Sequence, residues 1–339
     1  MKTTVITGAL IAALLGAGAV RAQTLEAVEE RGTLRCGINT GLVGFAAPDS
    51  NGTWQGFDVA MCRAVAAAVL GDASAVEFVT TAGESRFTEL ASGNVDMLAR
   101  NTTWTFERDT GLKFDFAGVN YYDGQGFIVP KSLGLTSAKD LGGASICVQT
   151  NTTSELNLAD FFRKNELDYE PVPVETNAEA LAQYNAGACD AYTTDASGLA
   201  ASRATFETPS DHVILPEIIS KEPLGFVVRH GDNEWADIVR WTLNALIAAE
   251  EYGVTSANVQ DMSASATDSP EINRLLGTEG DFGAMLGLSD DWAVNAISAA
   301  GNYGEIFAKN IGEDTAIGLT RGLNAQWTEG GLLYAPPFR

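Results

Sequence analysis

The chain has 339 residues and a formal net charge of −23, with 21 basic against 44 acidic side chains. Such an acidic surface repels nucleic acid and anionic lipid, so we expect neither as a partner. The length is sufficient for two lobes, each with its own hydrophobic core.

The first 22 residues are typical of a cleaved secretory signal. Lys2 precedes an uncharged run over residues 3–20, and small residues stand at Val20 and Ala22, where a signal peptidase acts. An anchoring helix is the alternative, but three glycines make it a poorer fit. Without residues 1–22, which include Lys2 and Arg21 and no acid, the charge is −25. We therefore expect an exported protein.

Strands and helices alternate along the first part of the chain. Apolar periodicity and capping residues predict helix 25–31, strand 34–38, helix 57–70, strand 76–80, helix 86–92 and strand 95–99. Asn51-Gly52 is typical of a hairpin turn. This alternation predicts a mainly parallel α/β sheet, in which ligands bind where strands end and helices begin.

The second part of the chain repeats this alternation after an extended aromatic segment. Residues 114–130 are predicted to cross from one lobe to the other. Then come strand 144–149, helix 154–165, strand 169–174, helix 177–186, strand 189–194, a second crossing, strand 226–229, helix 235–251 and helical stretches 271–276 and 290–309.

Four cysteines are present, and none of them forms a CxxC pair. With only two histidines in the chain a zinc site is not expected, and we predict neither a metal nor another cofactor. An even number of cysteines in an exported protein favours disulfides. Cys36 lies on the first strand and Cys62 on the next helix, while Cys147 and Cys189 lie on strands of the second unit. We predict the pairs Cys36–Cys62 and Cys147–Cys189, with buried free thiols as the alternative.

Two polar segments follow apolar strands. Residues 100–108 read Arg-Asn-Thr-Thr-Trp-Thr-Phe-Glu-Arg, and a second Asn-Thr-Thr stands at 151–153. Hydroxyls, backbone N–H groups and a guanidinium suit a small anion. One such loop alone is more often a solvated helix cap. Two of them in similar positions predict two lobes that share one site.

Several short motifs occur in a specific order. They are Gly56-Phe57-Asp58, Arg86-Phe87-x-x-Leu90-x-x-Gly93-x-Val95-Asp96, Thr103-x-Thr105-x-x-Arg108, Val148-Gln149 and the run from Cys189 to Asp195. Together they resemble the periplasmic amino-acid-binding proteins of ABC transporters, bacterial solute-binding protein family 3. The tail, with Gly301–Glu305 and Tyr334–Pro337, is similar to the longer general L-amino-acid-binding subgroup.

The resemblance implies a type II periplasmic-binding-protein fold, whose two lobes close on a ligand cleft by bending at two hinge crossings. The expected division is residues 23–122 and 226–339 for the first lobe and 123–225 for the second. It also implies a monomer in the periplasm that delivers an amino acid to a membrane permease and is not an enzyme.

The resemblance also implies the binding residues. Arg108 matches the arginine that pairs with the ligand α-carboxylate, and Asp195 the aspartate that holds the α-ammonium. The small polar positions are Asn101 and Thr103 in the first lobe and Thr150, Thr152 and Thr153 in the second. Relatives often have an aromatic shelf where this chain has Leu42, with Phe45 nearby, so the packing of the ligand side chain differs here.

The residue chemistry agrees with this interpretation. A zwitterion needs a guanidinium at one end and a carboxylate at the other. Arg108 and Asp195 come from different lobes, so both would be satisfied only on closure. The alternatives are an ion pair of Arg108 with Glu107 or Asp109, and a helix N-cap for Asp195.

Arg100 stands where relatives have a small residue near the ligand side chain. Our hypothesis is that it favours glutamate, glutamine, aspartate and asparagine. The alternative is a structural salt bridge to Glu84 or Glu155, which would leave specificity broad. A γ-glutamyl peptide is a further ligand that the sequence allows.

The main rival from another class is a dehydratase-like enzyme on the same fold, which would need a general acid or base near the ligand. Glu84 and Glu155 are its candidates. A receptor sensing domain is a third possibility, but no membrane-spanning segment follows in the sequence.

Overall fold

A computed structural model describes residues 24–339, and the predicted signal sequence lies outside them. The strands are β1 (Leu34–Asn39), β2 (Ala47–Pro48), β3 (Trp54–Gln55), β4 (Val76–Thr81), β5 (Met97–Thr103), β6 (Phe114–Asp123), β7 (Gln125–Pro130), β8 (Ser145–Gln149), β9 (Glu170–Val174), β10 (Ala191–Asp195), β11 (His212–Ile214) and β12 (Glu222–Arg229).

The helices follow the amphipathic segments of the sequence. They are α1 (Thr24–Arg31), α2 (Phe57–Leu70), α3 (Arg86–Ala91), α4 (Thr153–Lys164), α5 (Asn177–Asn185), α6 (Ala196–Arg203), α7 (Asn233–Glu251), α8 (Val259–Ser263), α9 (Pro270–Leu275), α10 (Phe282–Met285), α11 (Trp292–Ala300) and α12 (Tyr303–Asn310). The stretch predicted as one helix over 290–309 is two, because Gly301 takes a φ of 88° between them.

The strands form two five-stranded sheets, one in each lobe. The first has the order β4-β1-β5-β12-β6 and the second β11-β7-β10-β8-β9. The first sheet and helices α1, α2, α7, α11 and α12 surround the largest apolar core, in which Trp235 is fully buried. The second sheet has its own apolar clusters, around Phe127 and Tyr192. The predicted two-lobed α/β fold is confirmed.

The sheets are mixed, so the expectation of mainly parallel sheets was wrong. Strand β12 runs antiparallel to both β5 and β6, and β7 runs antiparallel to both β10 and β11. The parallel pairs are β1 with β4 and β5, and β8 with β9 and β10. The antiparallel strands are those next to the crossings, where the chain enters a sheet from the other lobe.

The two crossings between the lobes lie side by side. Strand β6 passes into β7 through Gly124 alone, and a side chain there would come within 2.2 Å of Ile218 Cγ2. On the return crossing, the backbone N–H of Ile219 donates to the carbonyl of Gln125 at 2.9 Å. The returning strand begins at Glu222, four residues before the sequence predicted.

Both predicted disulfides are confirmed. Cys36–Cys62 joins β1 to α2 with a Cα–Cα distance of 6.1 Å, and Cys147–Cys189 joins β8 to the turn before β10 with 5.7 Å. Each bridge lies within one lobe, so neither restrains the movement of one lobe against the other. In residues 24–339, no helix is both long and apolar enough to cross a membrane.

Candidate ligand-binding site

A polar cavity lies between the two lobes, where strands of both sheets end and helices begin. Such strand ends are the usual ligand position in α/β sheets. Its lining residues are Asn39, Leu42, Arg86, Arg100, Asn101 and Thr103 from the first lobe, and Gln149, Thr152, Thr153, Ser154, Asn177, Thr194, Asp195 and Gly198 from the second.

The first polar segment is not the loop that the sequence predicted. Strand β5 continues through Arg100 and Asn101 to Thr103, which pairs with Leu224 of β12. Pairing with β12 at Thr102 and Thr103 uses backbone groups whatever side chains the strand carries, so polar residues do not end it. Asn101 takes a φ of 43°, and its buried Oδ1 has no hydrogen-bond partner among the described residues. The strand thus presents an unused acceptor near the cavity.

Arg100 is buried and lines the cavity. Its Nε donates to the carbonyl of Thr81 at 3.1 Å, and the ion pairs of the described residues include none between Arg100 and Glu84 or Glu155. Burial lowers the pKa of Arg100 to about 10, against the opposing effect of Asp195. The guanidinium therefore remains charged at neutral pH, and the alternative of a structural salt bridge with either glutamate is not observed.

Arg86 is a site residue that the sequence reasoning missed. It is the first residue of α3, is only 2% exposed, and lines the same cavity. Its buried Nε has no hydrogen-bond partner among the described residues, while its Cζ lies 4.9 Å from the ring centre of Phe87. Burial and the neighbouring charges of Arg100 and Arg108 lower the pKa of Arg86 well below its usual value. An anion in the cavity would relieve this repulsion.

Asp195 provides the opposite charge from the second lobe. It occupies the N-cap position of α6, but its side chain makes no capping hydrogen bond. Burial, followed by the charges of Asp123 and Glu222, raises the pKa of Asp195 well above its usual value, and Arg86 and Arg100 act in the other direction. A bound cation would favour the ionised carboxylate.

The hydroxyl groups of the two polar segments meet across the cleft. Thr153 Oγ1 lies 3.2 Å from Thr103 Oγ1. Thr152 is the N-cap of α4, where its side chain accepts a hydrogen bond from the N–H of Glu155. The predicted meeting of the two segments is therefore present in the folded chain.

Six of the eight predicted ligand residues line the cavity, and Arg108 and Thr150 do not. Arg108 is buried, and its Nη1 donates to the carbonyl of Thr103 at 2.8 Å. Thr150 directs its N–H and its hydroxyl to the carbonyl of Val174. In the described part of the chain, Arg108 forms no ion pair with Glu107 or Asp109. The guanidinium instead supports the backbone beneath the cavity.

Leu42 is the apolar side chain that lines the cavity, while Phe45 is fully buried against Phe57 and Tyr121. Phe45 therefore does not replace the aromatic shelf. A lining so poor in apolar groups suits a small ligand with charged or amide groups.

Comparison with known proteins gives the family. The model of the bacterial extracellular solute-binding proteins, family 3, matches residues 34–258. The chain belongs to this family. Over the full length of both proteins it is 64% identical to the glutamate/glutamine/aspartate/asparagine-binding protein BztA of Rhodobacter capsulatus. It is 55% identical, again over all of both, to the general L-amino acid-binding periplasmic protein AapJ of Rhizobium johnstonii.

A solved structure is similar over most of the chain. A periplasmic binding protein of an ABC transporter from Brucella ovis, with glutathione bound, is 56% identical with a TM-score of 0.91, and the match covers 94% of this chain and all of that one. These relatives are named as binding proteins rather than as enzymes. The family member described here is accordingly a solute-binding protein and not a dehydratase.

Proposed function

We propose that this protein is the periplasmic binding component of an amino-acid ABC importer and that it prefers glutamate, glutamine, aspartate and asparagine. The observation that carries the proposal is the presence of two buried guanidinium groups and one half-buried carboxylate around a single polar cavity between two lobes. An acidic amino acid carries two carboxylates and one ammonium, which is the complementary set of charges.

In this proposal Asp195 holds the α-ammonium, and the hydroxyl oxygens of Thr103, Thr152 and Thr153 accept its remaining hydrogen bonds. The hydrogens of these hydroxyls are already donated to Glu222 and to the carbonyl of Gln149. Arg86 and Arg100 face the two carboxylates, with Arg100 at the side-chain carboxylate or amide. Arg108 and Thr150 keep their predicted contacts with the α-carboxylate only if the ligand reaches past the cavity lining. Closure would give each charged end a partner at the same time.

We also propose the cellular setting. The protein would act as a monomer, after export and removal of residues 1–22, and would deliver its ligand to a membrane permease. The lobes would comprise residues 23–122 and 226–339, and residues 123–225; the start of β12 favours a second boundary just before Glu222. The names and the family of the relatives support this setting.

A thermal-shift screen tests the proposal. Purified protein is heated with each of the twenty amino acids and with glutathione, and ligands that bind the folded state raise the melting temperature. We expect the largest shifts with the two acidic amino acids and their amides. Shifts for none of the twenty would overturn the proposal.

Arg100→Ala tests the role of this residue in specificity. We expect calorimetry to show glutamate affinity reduced by more than about tenfold, because a charge-assisted hydrogen bond is lost, with alanine affinity nearly unchanged. The control is Arg35→Ala, which removes the same charge from a half-exposed residue paired with Glu77. Unchanged glutamate affinity would rule out contact with the ligand side chain. An equal loss for both ligands would assign Arg100 to the α-carboxylate.

A γ-glutamyl peptide is the second candidate, because the similar Brucella ovis protein has glutathione bound. Competition calorimetry with glutamate and glutathione separates the candidates. Tighter binding of glutathione would make the peptide the preferred ligand and the amino acid a partial occupant of the same cavity.

A further inference from the structure

A buried carboxylate beside the cavity, Glu222, links the two lobes. Glu222 is the first residue of β12, is 1% exposed, and is not a cavity-lining residue. Its Oε2 accepts hydrogen bonds from Thr103 Oγ1 at 2.5 Å and from Thr153 Oγ1 at 2.9 Å. One oxygen atom is thus bonded to a strand of the first sheet and to a helix of the second lobe.

The other oxygen of Glu222 makes two more bonds. Oε1 accepts from Asn157 Nδ2 at 2.7 Å and from Ser220 Oγ at 2.5 Å. Four donors therefore surround a carboxylate that has no ion pair among the described residues. A buried carboxylate is tolerated when hydrogen-bond donors replace its water. We call these five residues the Glu222 cluster.

The members of the Glu222 cluster belong to different rigid parts. Glu222 pairs with Asp123 of β6, and Thr103 ends β5, so both are held in the first sheet. Thr153 and Asn157 lie on α4, which packs on β8 and β10 of the second sheet. A rotation of the second lobe away from the first would carry both α4 donors away from the carboxylate. The cluster therefore favours the closed arrangement through contacts that the open one would lack.

We propose that Glu222 is a positioning residue that holds the lobes closed through α4 and so sets how long a captured ligand stays bound. It acts without touching the ligand. All four donors are uncharged. Thr103 belongs to the first lobe, Thr153 and Asn157 belong to the second, and Ser220 lies on the return crossing. This inference rests on the proposed function only in its test, because the test measures the release of a bound amino acid.

The test is Asn157→Ala, which removes one interlobe donor outside the cavity. We expect the dissociation rate of glutamate to rise about tenfold or more, the loss typical of a hydrogen bond to a charged group, with the melting temperature of the ligand-free protein nearly unchanged. The matched control is Asn165→Ala at the other end of α4, where Nδ2 bonds the carbonyl of Phe161 within the same lobe. This control should leave the dissociation rate within about twofold.

Two outcomes would overturn the proposal. One is a dissociation rate in Asn157→Ala within twofold of the wild type. The other is an equal rise in both variants together with a lower melting temperature, which would indicate a local structural role. If the wild type binds no ligand of the screen, the proposed function fails instead. Spin-label distances between the lobes of the ligand-free protein then decide, and equal closed fractions in wild type and Asn157→Ala would overturn the role of Glu222.

Discussion

At the residue scale, Arg86 is expected to favour ligand binding and to reduce the stability of the ligand-free protein. Its guanidinium is buried beside Arg100, and its Nε has no hydrogen-bond partner in the described chain. A buried charge without compensation is costly, whereas an apolar side chain of similar length is often better tolerated. The residue is therefore expected to weaken the ligand-free protein and to strengthen the complex.

Arg86→Met separates these two effects. We expect the ligand-free protein to keep or raise its free energy of unfolding in urea, while calorimetry shows glutamate affinity reduced by more than about tenfold. Arg63→Met is the control, because Arg63 lies on α2 and donates to the carbonyl of Trp54, away from the cavity. Wild-type affinity in Arg86→Met would remove this residue from the binding site.

The sequence predicted Arg100 but not Arg86, for a physical reason. Arg100 follows an apolar run and begins a polar segment, which is a local signal. Arg86 begins a short helix after Glu84 and Ser85, and such a residue is normally solvated. In the folded chain it is buried over the ring of Phe87 and lines a cavity shared with Asp195 of the second lobe, which no local signal reveals.

At the element scale, periodicity located most of the long helices but missed α6 and the short helices α8 and α10. The errors among the strands include those next to the cleft. The residues Glu222-Pro223-Leu224-Gly225 were expected in the second crossing, yet they begin β12 because β5 and β6 supply partners on both sides. The polar end of β5 is likewise held by pairing with a distant strand, since Thr102 and Thr103 pair with β12. Local composition cannot reveal pairing with strands that lie about a hundred residues away.

The disulfide between β8 and the turn before β10 is expected to stabilise the second lobe. Replacing Cys147 and Cys189 together by serine should lower the free energy of unfolding of the second lobe by about 3–4 kcal/mol, because the unfolded chain regains the entropy of a loop. Urea denaturation followed by circular dichroism measures it, with reduced wild type for comparison. An unchanged denaturation midpoint would contradict this expectation.

At the scale of the whole molecule, the buried carboxyl groups of this acidic protein determine how its stability depends on pH. The protein carries a formal charge of −23. Burial raises the pKa of Asp58 to about 7 and that of Asp123 to about 6, from an ordinary value near 3.8. Between about pH 4 and 7 the folded state therefore binds protons that the unfolded state has released. Stability must fall as the pH rises through this window.

We expect the free energy of unfolding, measured in urea at pH 5, 6, 7 and 8, to decrease by on the order of 2 kcal/mol from pH 5 to 7 and then to level off. Asp58→Asn should make the free energy of unfolding less dependent on pH, because the amide resembles the protonated acid and does not titrate. Its oxygen can still accept the hydrogen bond from Asn120 Nδ2. Asp72→Asn is the control, since Asp72 is exposed and its pKa is lowered. A stability that rises from pH 5 to 7 would contradict the assignment of Asp58.

The single residue between β6 and β7 limits how the lobes can move. Gly124 leaves no spare chain at one crossing, and the return crossing is hydrogen-bonded to its neighbour. Two short tethers side by side allow rotation about the line that joins them and oppose both sliding and separation. We therefore expect one angle to describe the opening of the protein, so that a single interlobe distance follows capture and release.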